Sequence, residues 1–234
     1  MTKILIVATG SNRLRLVDGT IKPTGFWAEE LVVPHEQFRR AGFEVQIATP
    51  GGVPSPLDEG SLVPEMNPGG PDVIRHYREY LDAIPDLKHP LVLENLTDEE
   101  LEGYDGLYLP GGHGPMEDLA HAKPLGRAVG TMLGRGRLIS AICHGPAGLL
   151  TACDRDGGWA FRGYRLTGFT NEEERKVGML DRMPLLLESR LREQGGLFES
   201  GPAWEPHVVT DRNLITGQNP ASSDGVARQV IERL

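Results

Sequence analysis

"SAICHGPAGLL" (residues 140–150) places a cysteine and a histidine side by side between an apolar run and a glycine. With the residues before it, "RLISAICHG" (137–145) reads as a buried strand that ends abruptly in a tight turn. Cys143 is then one of two things, a small buried hydrophobe at a strand end or a nucleophile held on that turn. The rest of the chain bears on the choice.

The same strand-then-glycine pattern recurs. "KILIVAT" (3–9) is a short β-branched run ending at Gly10, and "DGLYLPGGHG" (105–114) is a strand entering a glycine-rich turn. "AEELVVPHEQFRRAG" (28–42) has helical periodicity and closes on Gly42, and "FEVQIATP" (43–50) is a strand broken by Pro50. Strand, helix and strand within fifty residues form a βαβ unit, so the sheet is expected to be parallel. A capping box at Thr97 and Glu100 opens a helix, and "PLGRAVGTMLGRG" (124–136) forms another. Further on, a helix is expected near 146–153, a hairpin or two short strands over 159–170, and a mostly helical stretch over 171–196. Two strands should flank Asp211-Arg212-Asn213, before a serine-capped helix over 222–234. Residues 51–95 are rich in Pro, Gly and Asp, with one helix-like piece at 71–84, and read as an inserted lobe. The expected fold is α/β, a doubly wound, mainly parallel flavodoxin-like sheet with helices on both faces. It occupies one domain over 1–234, with the lobe at about 51–95.

Composition narrows the function. At 234 residues with 39% hydrophobic content, the chain needs no disulfide or metal to fold. A net charge of −9 argues against a nucleic-acid partner, which requires clustered Lys and Arg. The N-terminal apolar run, about six residues, is too short for a signal-peptide core or a membrane span, so a cytoplasmic protein with reduced thiols is expected. Two cysteines make no framework, and Cys153 reads as structural. "HEQFR" (35–39) lacks the second histidine of a zincin, and no phosphate-binding loop or dinucleotide fingerprint is present. No metal or cofactor is therefore expected.

In open α/β sheets ligands bind beyond the carboxyl ends of the strands, where "ATGSN", "LPGGHG" and "AICHG" converge. Gly111, Gly112 and Gly114 free backbone N–H groups for an oxyanion, and a helix start beside Cys143 would lower its pKa. His113 can line such a site. His144 serves either as a base or as a turn cap. The acidic Glu29-Glu30 and Glu172-Glu173-Glu174 runs read, by themselves, as solvated helix starts.

Six ordered stretches resemble the ThiJ/PfpI superfamily, of class I glutamine amidotransferase-like fold, and most of all its heat-shock chaperone/glyoxalase III branch. They are "TGFWAEELVVPHEQFRRAGFEV", "PGG" followed by "PLD", "YDGLYLPGGHGPMEDL", "AICHGPAGLL", "LTGFTNEEE" and "LITGQNPASS". The resemblance implies Cys143 as nucleophile on an elbow with His144 beside it. It implies Glu30 as a buried, protonated acid on the sulfur and Glu174 completing a Cys-His-Glu triad, with Glu173 as the substitute if the register differs. Gly112, His113 and the His144 amide would form the oxyanion hole. The implied activity is a cofactor-free, glutathione-independent glyoxalase (a lyase of D-lactate dehydratase type) acting on a small 2-oxoaldehyde such as methylglyoxal. Alternatives are a stress-response holding chaperone with Cys143 as redox sensor, and a deglycase or amidase. Unfolded or glycated proteins are then candidate partners, and relatives imply a homodimer. The last histidine, His207, is followed by Val-Val rather than x-Glu, which argues against glutaminase activity.

Overall fold

A computed structural model describes residues 1–234. Its strands are β1 (Lys3–Val7), β2 (Arg13–Arg15), β3 (Ile21–Pro23), β4 (Glu44–Thr49), β5 (Leu91–Val92), β6 (Gly106–Leu109), β7 (Leu138–Ile142), β8 (Arg165–Leu166), β9 (Leu197–Phe198), β10 (Val208–Asp211) and β11 (Leu214–Gly217). The helices are α1 (Ala28–Arg40), α2 (Pro71–Asp82), α3 (Asp98–Glu102), α4 (Gly114–Glu117), α5 (Lys123–Gly134), α6 (Asn171–Lys176), α7 (Leu187–Glu193) and α8 (Ser223–Arg233).

Seven strands form one sheet in the order β10-β11-β7-β6-β1-β4-β5, parallel except for the edge strand β10. This is the doubly wound α/β fold expected from the sequence. Strand residues alternate between two cores, as the two-residue period of a strand requires. Leu5 and Val7 enter one cluster with the inner faces of α3, α5 and α7, while Ile4 and Ile6 join α1 and α8 in the other. The strand order, which runs outward from β1 to β4 and β5 on one side and from β6 to β7 and β11 on the other, reverses between β1 and β6, so a crevice opens beyond the carboxyl ends of these parallel strands. No helix is long and apolar enough to cross a membrane.

The lobe segment 51–95 is a series of 3₁₀ turns around α2, and it also supplies β5, a two-residue edge strand absent from the sequence reading. The β2–β3 hairpin was likewise not anticipated, because Leu14 is its one buried position. Four expectations need correction. The helix near 146–153 is a five-residue 3₁₀ turn, Gly145–Leu149. The hairpin over 159–170 does not form. Trp159 and Phe161 turn into the core, and β8 pairs in parallel with the distant β9. The helical stretch 171–196 is broken into α6 and α7, with Gly178 in the left-handed region and Pro184 between them. Ser222 does not cap α8. Its hydroxyl donates to the His207 carbonyl, 3.1 Å away.

Where α1 meets α2, His35 Nδ1 lies 2.9 Å from the Tyr80 hydroxyl. Burial, with the Arg39 charge adding to it, pushes His35 down to about 4 from an ordinary 6.5. Below pH 6.5 the unfolded chain takes up a proton that folded His35 refuses until about pH 4, so this residue's contribution to stability is lost across that window. His35→Gln is therefore expected to gain about 2 kcal/mol relative to wild type between pH 8 and pH 5. Urea titrations at the two pH values check this, and an unchanged difference would rule it out.

Candidate active site

β7 ends at Ile142, and Cys143 follows with φ 57°, a left-handed conformation that costs a non-glycine residue about 1–2 kcal/mol. Two backbone hydrogen bonds hold it there. Cys143 N–H donates to Gly217 O (2.9 Å) in the neighbouring strand, and Phe169 N–H donates to Cys143 O (2.8 Å). Gly145 makes the bend sterically allowed, since a Cβ there would lie 2.1 Å from Leu109 O. The turn thus projects the side chain into the crevice beyond the sheet.

Glu30 reaches the same point from the first turn of α1 and is fully buried. Pro34 has no N–H to offer the Glu30 carbonyl four residues back, and the buried Tyr108 hydroxyl donates to it instead at 2.5 Å. In the side chain, Oε2 accepts the Gly111 N–H at 2.8 Å, and the carboxyl group also meets the Cys143 thiol. Burial pushes the Glu30 carboxyl well above the usual carboxylate range, outweighing the Cys143 and Gly111 contacts that pull it down. Burial therefore favours the neutral, protonated form of Glu30. Gly111 has to be glycine here, because a Cβ would fall within 2.8 Å of Glu30 Oε2, the His144 nitrogen and Cys143 Cβ.

Cys143 departs from the expected low-pKa thiol. Burial pushes it up, Glu30 adds to the effect, and only the Gly112 N–H facing the sulfur pulls it down. A short 3₁₀ turn supplies little of the dipole an α-helix would bring. The resting group is a thiol that needs a base.

His144 stands next to it, 1% exposed, with Nδ1 3.4 Å from Cys143 Sγ and Nε2 2.8 Å from Glu174 Oε1. Glu174 is buried in α6. Burial raises its pKa, but the His113 and His144 side chains facing it outweigh that and hold the carboxyl well below the ordinary range. Glu173 points the other way. Its oxygens accept from Thr170 in a capping box, from Trp204 N–H (3.0 Å), and from Gln218 (3.1 Å) and Asn219 (2.8 Å). His113, which follows the left-handed Gly112, packs its ring 4.4 Å from that of His144. Burial pushes His113 down to about 4, and the neighbouring His144 adds to this, so it is neutral at pH 7. Cys143, His144, Glu174, Glu30, Gly112 and His113 thus converge on one point. Cys153 is exposed and pairs with Trp159 in an isolated antiparallel bridge.

The cavity over the sulfur measures about 50 Å³, and its walls include Trp27, Met66, Phe169, Val177 and Trp204. Sequence reasoning missed these walls. Phe169 lies inside a quoted motif, but nothing local marks it as a wall of the site. Trp204 comes from an irregular polar loop, and its backbone (φ 70°) is held by Glu173. A larger cleft of about 640 Å³ adjoins the cavity and shares Met66, Val177, Trp204 and Pro220 with it.

Residues 21–233 match the DJ-1/PfpI family. Among characterised relatives, glyoxalase 3 of Candida albicans is 32% identical, with 99% of this chain and 98% of the relative covered. The protein/nucleic acid deglycase HchA of Pseudomonas aeruginosa is 27% identical over 99% of this chain and 80% of its own length. The crystal structure of glyoxalase III from Candida albicans superposes with a TM-score of 0.81 at 28% identity, covering 99% of this chain and 96% of that one.

Proposed function

The chain belongs to the DJ-1/PfpI family, and from that membership and the site geometry we propose a glutathione-independent, cofactor-independent glyoxalase that turns methylglyoxal or another small 2-oxoaldehyde into the 2-hydroxy acid. One observation carries the reading. The Cys143 sulfur sits between a base (His144 Nδ1, 3.4 Å) and a neutral acid (Glu30), inside a cavity of about 50 Å³. That volume holds roughly three to five water-sized groups, the size of a three-carbon dicarbonyl.

His144 Nδ1 takes the thiol proton as sulfur adds to the aldehyde carbon, giving a hemithioacetal. The new oxyanion is met by the N–H groups of Gly112 and His144, neither of which donates to a backbone carbonyl. His144 hands the thiol proton to that oxyanion and, neutral again, takes the C1 proton while Glu30 gives its proton to the C2 oxygen, leaving an enediol; His144 then returns its proton at C2 as Glu30 takes back the C1 hydroxyl proton. The resulting thioester of the 2-hydroxy acid is cleaved by water, which restores the Cys143 thiol. Glu174 holds the His144 Nε2–H, so that Nδ1 presents its lone pair to sulfur.

Incubating the protein with methylglyoxal in the absence of glutathione is expected to yield lactate, with solvent deuterium appearing at C2 in heavy water. No lactate above a buffer control would overturn the reading. Glu174→Gln provides a second check. Its amide N–H would face Nε2, force the proton onto Nδ1 and cut kcat by about 10²–10⁴-fold. A variant with near-normal kcat would mean that Glu174 does not set the tautomer.

The adjoining cleft favours a second reading, removal of the same dicarbonyls from adducts on larger molecules. Its walls include Glu29, Glu65, Tyr77 and Lys176, and it could hold the carrier while the adduct enters the cavity. Faster lactate release from a methylglyoxal-treated peptide than from free methylglyoxal would support this reading over the first.

A further inference from the structure

His113 and His144 direct their Nε2 atoms at a single carboxylate. His144 Nε2 lies 2.8 Å from Glu174 Oε1, and His113 Nε2 lies 3.5 Å from Glu174 Oε2. The three side chains come from different parts of the fold: the turn after β6, the elbow after β7, and α6. Their donor atoms all lie within 4.8 Å of one another. Two of these atoms, His113 Nε2 and Glu174 Oε2, are buried with no hydrogen-bond partner, and Glu174 is only 2% exposed. Each unmade bond costs about 1–3 kcal/mol, so the arrangement calls for a group that accepts lone pairs from both atoms.

We propose that His113, His144 and Glu174 form a binding site for a divalent transition-metal ion of borderline softness, zinc foremost, and that its occupancy switches Cys143 chemistry off. The second half rests on the reading of Cys143 as a nucleophile activated by His144.

Two imidazoles and one carboxylate suit zinc, whereas magnesium and calcium prefer oxygen donors alone. Zinc bonds of about 2.0–2.2 Å bring tetrahedral donors to about 3.4 Å from one another, which small side-chain rotations achieve from the observed spacing. His113 and His144 also line the cavity, which leaves a fourth position open to water or a small anion. The sulfur is outside the donor set, because Cys143 Sγ lies against Nδ1, across the ring from the metal-facing Nε2.

That separation accounts for the switch. Without metal, Nε2 carries the ring proton toward Glu174, and Nδ1 can accept the thiol proton. A metal bound at Nε2 needs that lone pair, so the ring proton moves to Nδ1 and the ring stays neutral. One N–H bond breaks and one forms. Nδ1 then faces sulfur as a donor and can no longer act as its base.

Untagged, chelator-stripped protein titrated with zinc against a chromophoric chelator is expected to show one site with Kd of about 10 µM or tighter. His113→Gln and Glu174→Ala should each weaken it by at least about tenfold, while Cys143→Ala should bind as wild type does. Cobalt in place of zinc should give d–d bands without a thiolate charge-transfer band. Saturating zinc should cut lactate formation at least tenfold, reversibly on adding EDTA. Binding that ignores His113→Gln, or a cobalt–thiolate band, would overturn the site. Tight binding with full turnover would overturn the switch. If metal-free protein makes no lactate, the function reading fails and takes the switch with it, while the zinc titration still decides the site.

Discussion

Replacing Cys143 by serine is expected to lower kcat/KM for methylglyoxal by at least about 10³-fold while leaving the fold in place. The His144 Nδ1–Sγ separation of 3.4 Å suits a sulfur and is long for an oxygen. A serine hydroxyl is also a far weaker acid than a thiol, so the same imidazole removes its proton against a much steeper gradient. The side chain is 4% exposed and makes no strong hydrogen bond that serine would lose, so thermal melts should shift little. Lactate formation and iodoacetamide labelling of the two proteins test this together. Turnover within tenfold of wild type would remove Cys143 from the mechanism, whatever happens to labelling.

Gly112→Ala is expected to do the opposite, damaging fold and activity alike. Gly112 has φ 89°, and a Cβ there would lie 2.3 Å from Gly25 O, 2.8 Å from Trp27 N and 3.0 Å from Phe26 C. All three neighbours are backbone atoms of the segment leading into α1, so no rotamer change relieves the overlap. The left-handed backbone adds about 1–2 kcal/mol, and a total loss of about 3 kcal/mol or more follows. For a chain of this size that lowers Tm by about 6–12 °C. Relieving the overlap also moves the Gly112 N–H away from sulfur and shifts α1, which carries Glu30, so kcat should fall with stability. Gly134→Ala is the control. It lies at the end of α5 with open space around its Cβ position, and alanine there should be neutral or stabilising by up to about 1 kcal/mol. Equal melting temperatures for Gly112→Ala and wild type would contradict the steric argument.

What could be read in the chain was whatever local physics encodes. Ile4 to Val7 and Leu138 to Ile142 announce buried strands through continuous apolar runs. Thr97 and Glu100 announce a helix start through reciprocal hydrogen bonds. Asp211-Arg212-Asn213 announces a hairpin, with Arg212 taking the left-handed position. The misread parts share a cause. Over 159–170 a hairpin or two short strands were expected, but β8 found its partner some thirty residues away, and burial of Trp159 and Phe161 outweighed local pairing.

The site divides the same way. A cysteine at a strand end followed by His-Gly is a local signal, and so is the glycine turn at 111–114. The T-x-x-E spacing of Thr170 and Glu173 marks Glu173 locally as a capping-box residue, but nothing local says what either glutamate meets across the fold. Tertiary packing separates them, taking Glu173 for Trp204, Gln218 and Asn219 and leaving Glu174 to two histidines. Protonation is equally non-local. Glu30 holds its proton, and Cys143 rests as a thiol, because elements far apart in sequence exclude water from both. The chain by itself therefore determined the α/β fold and the turn that bears Cys143, because strand and turn preferences act over a few residues. The partner of His144, the neutral state of Glu30 and the size of the cavity were decided only by the folded whole, because burial and charge depend on what the rest of the chain brings alongside.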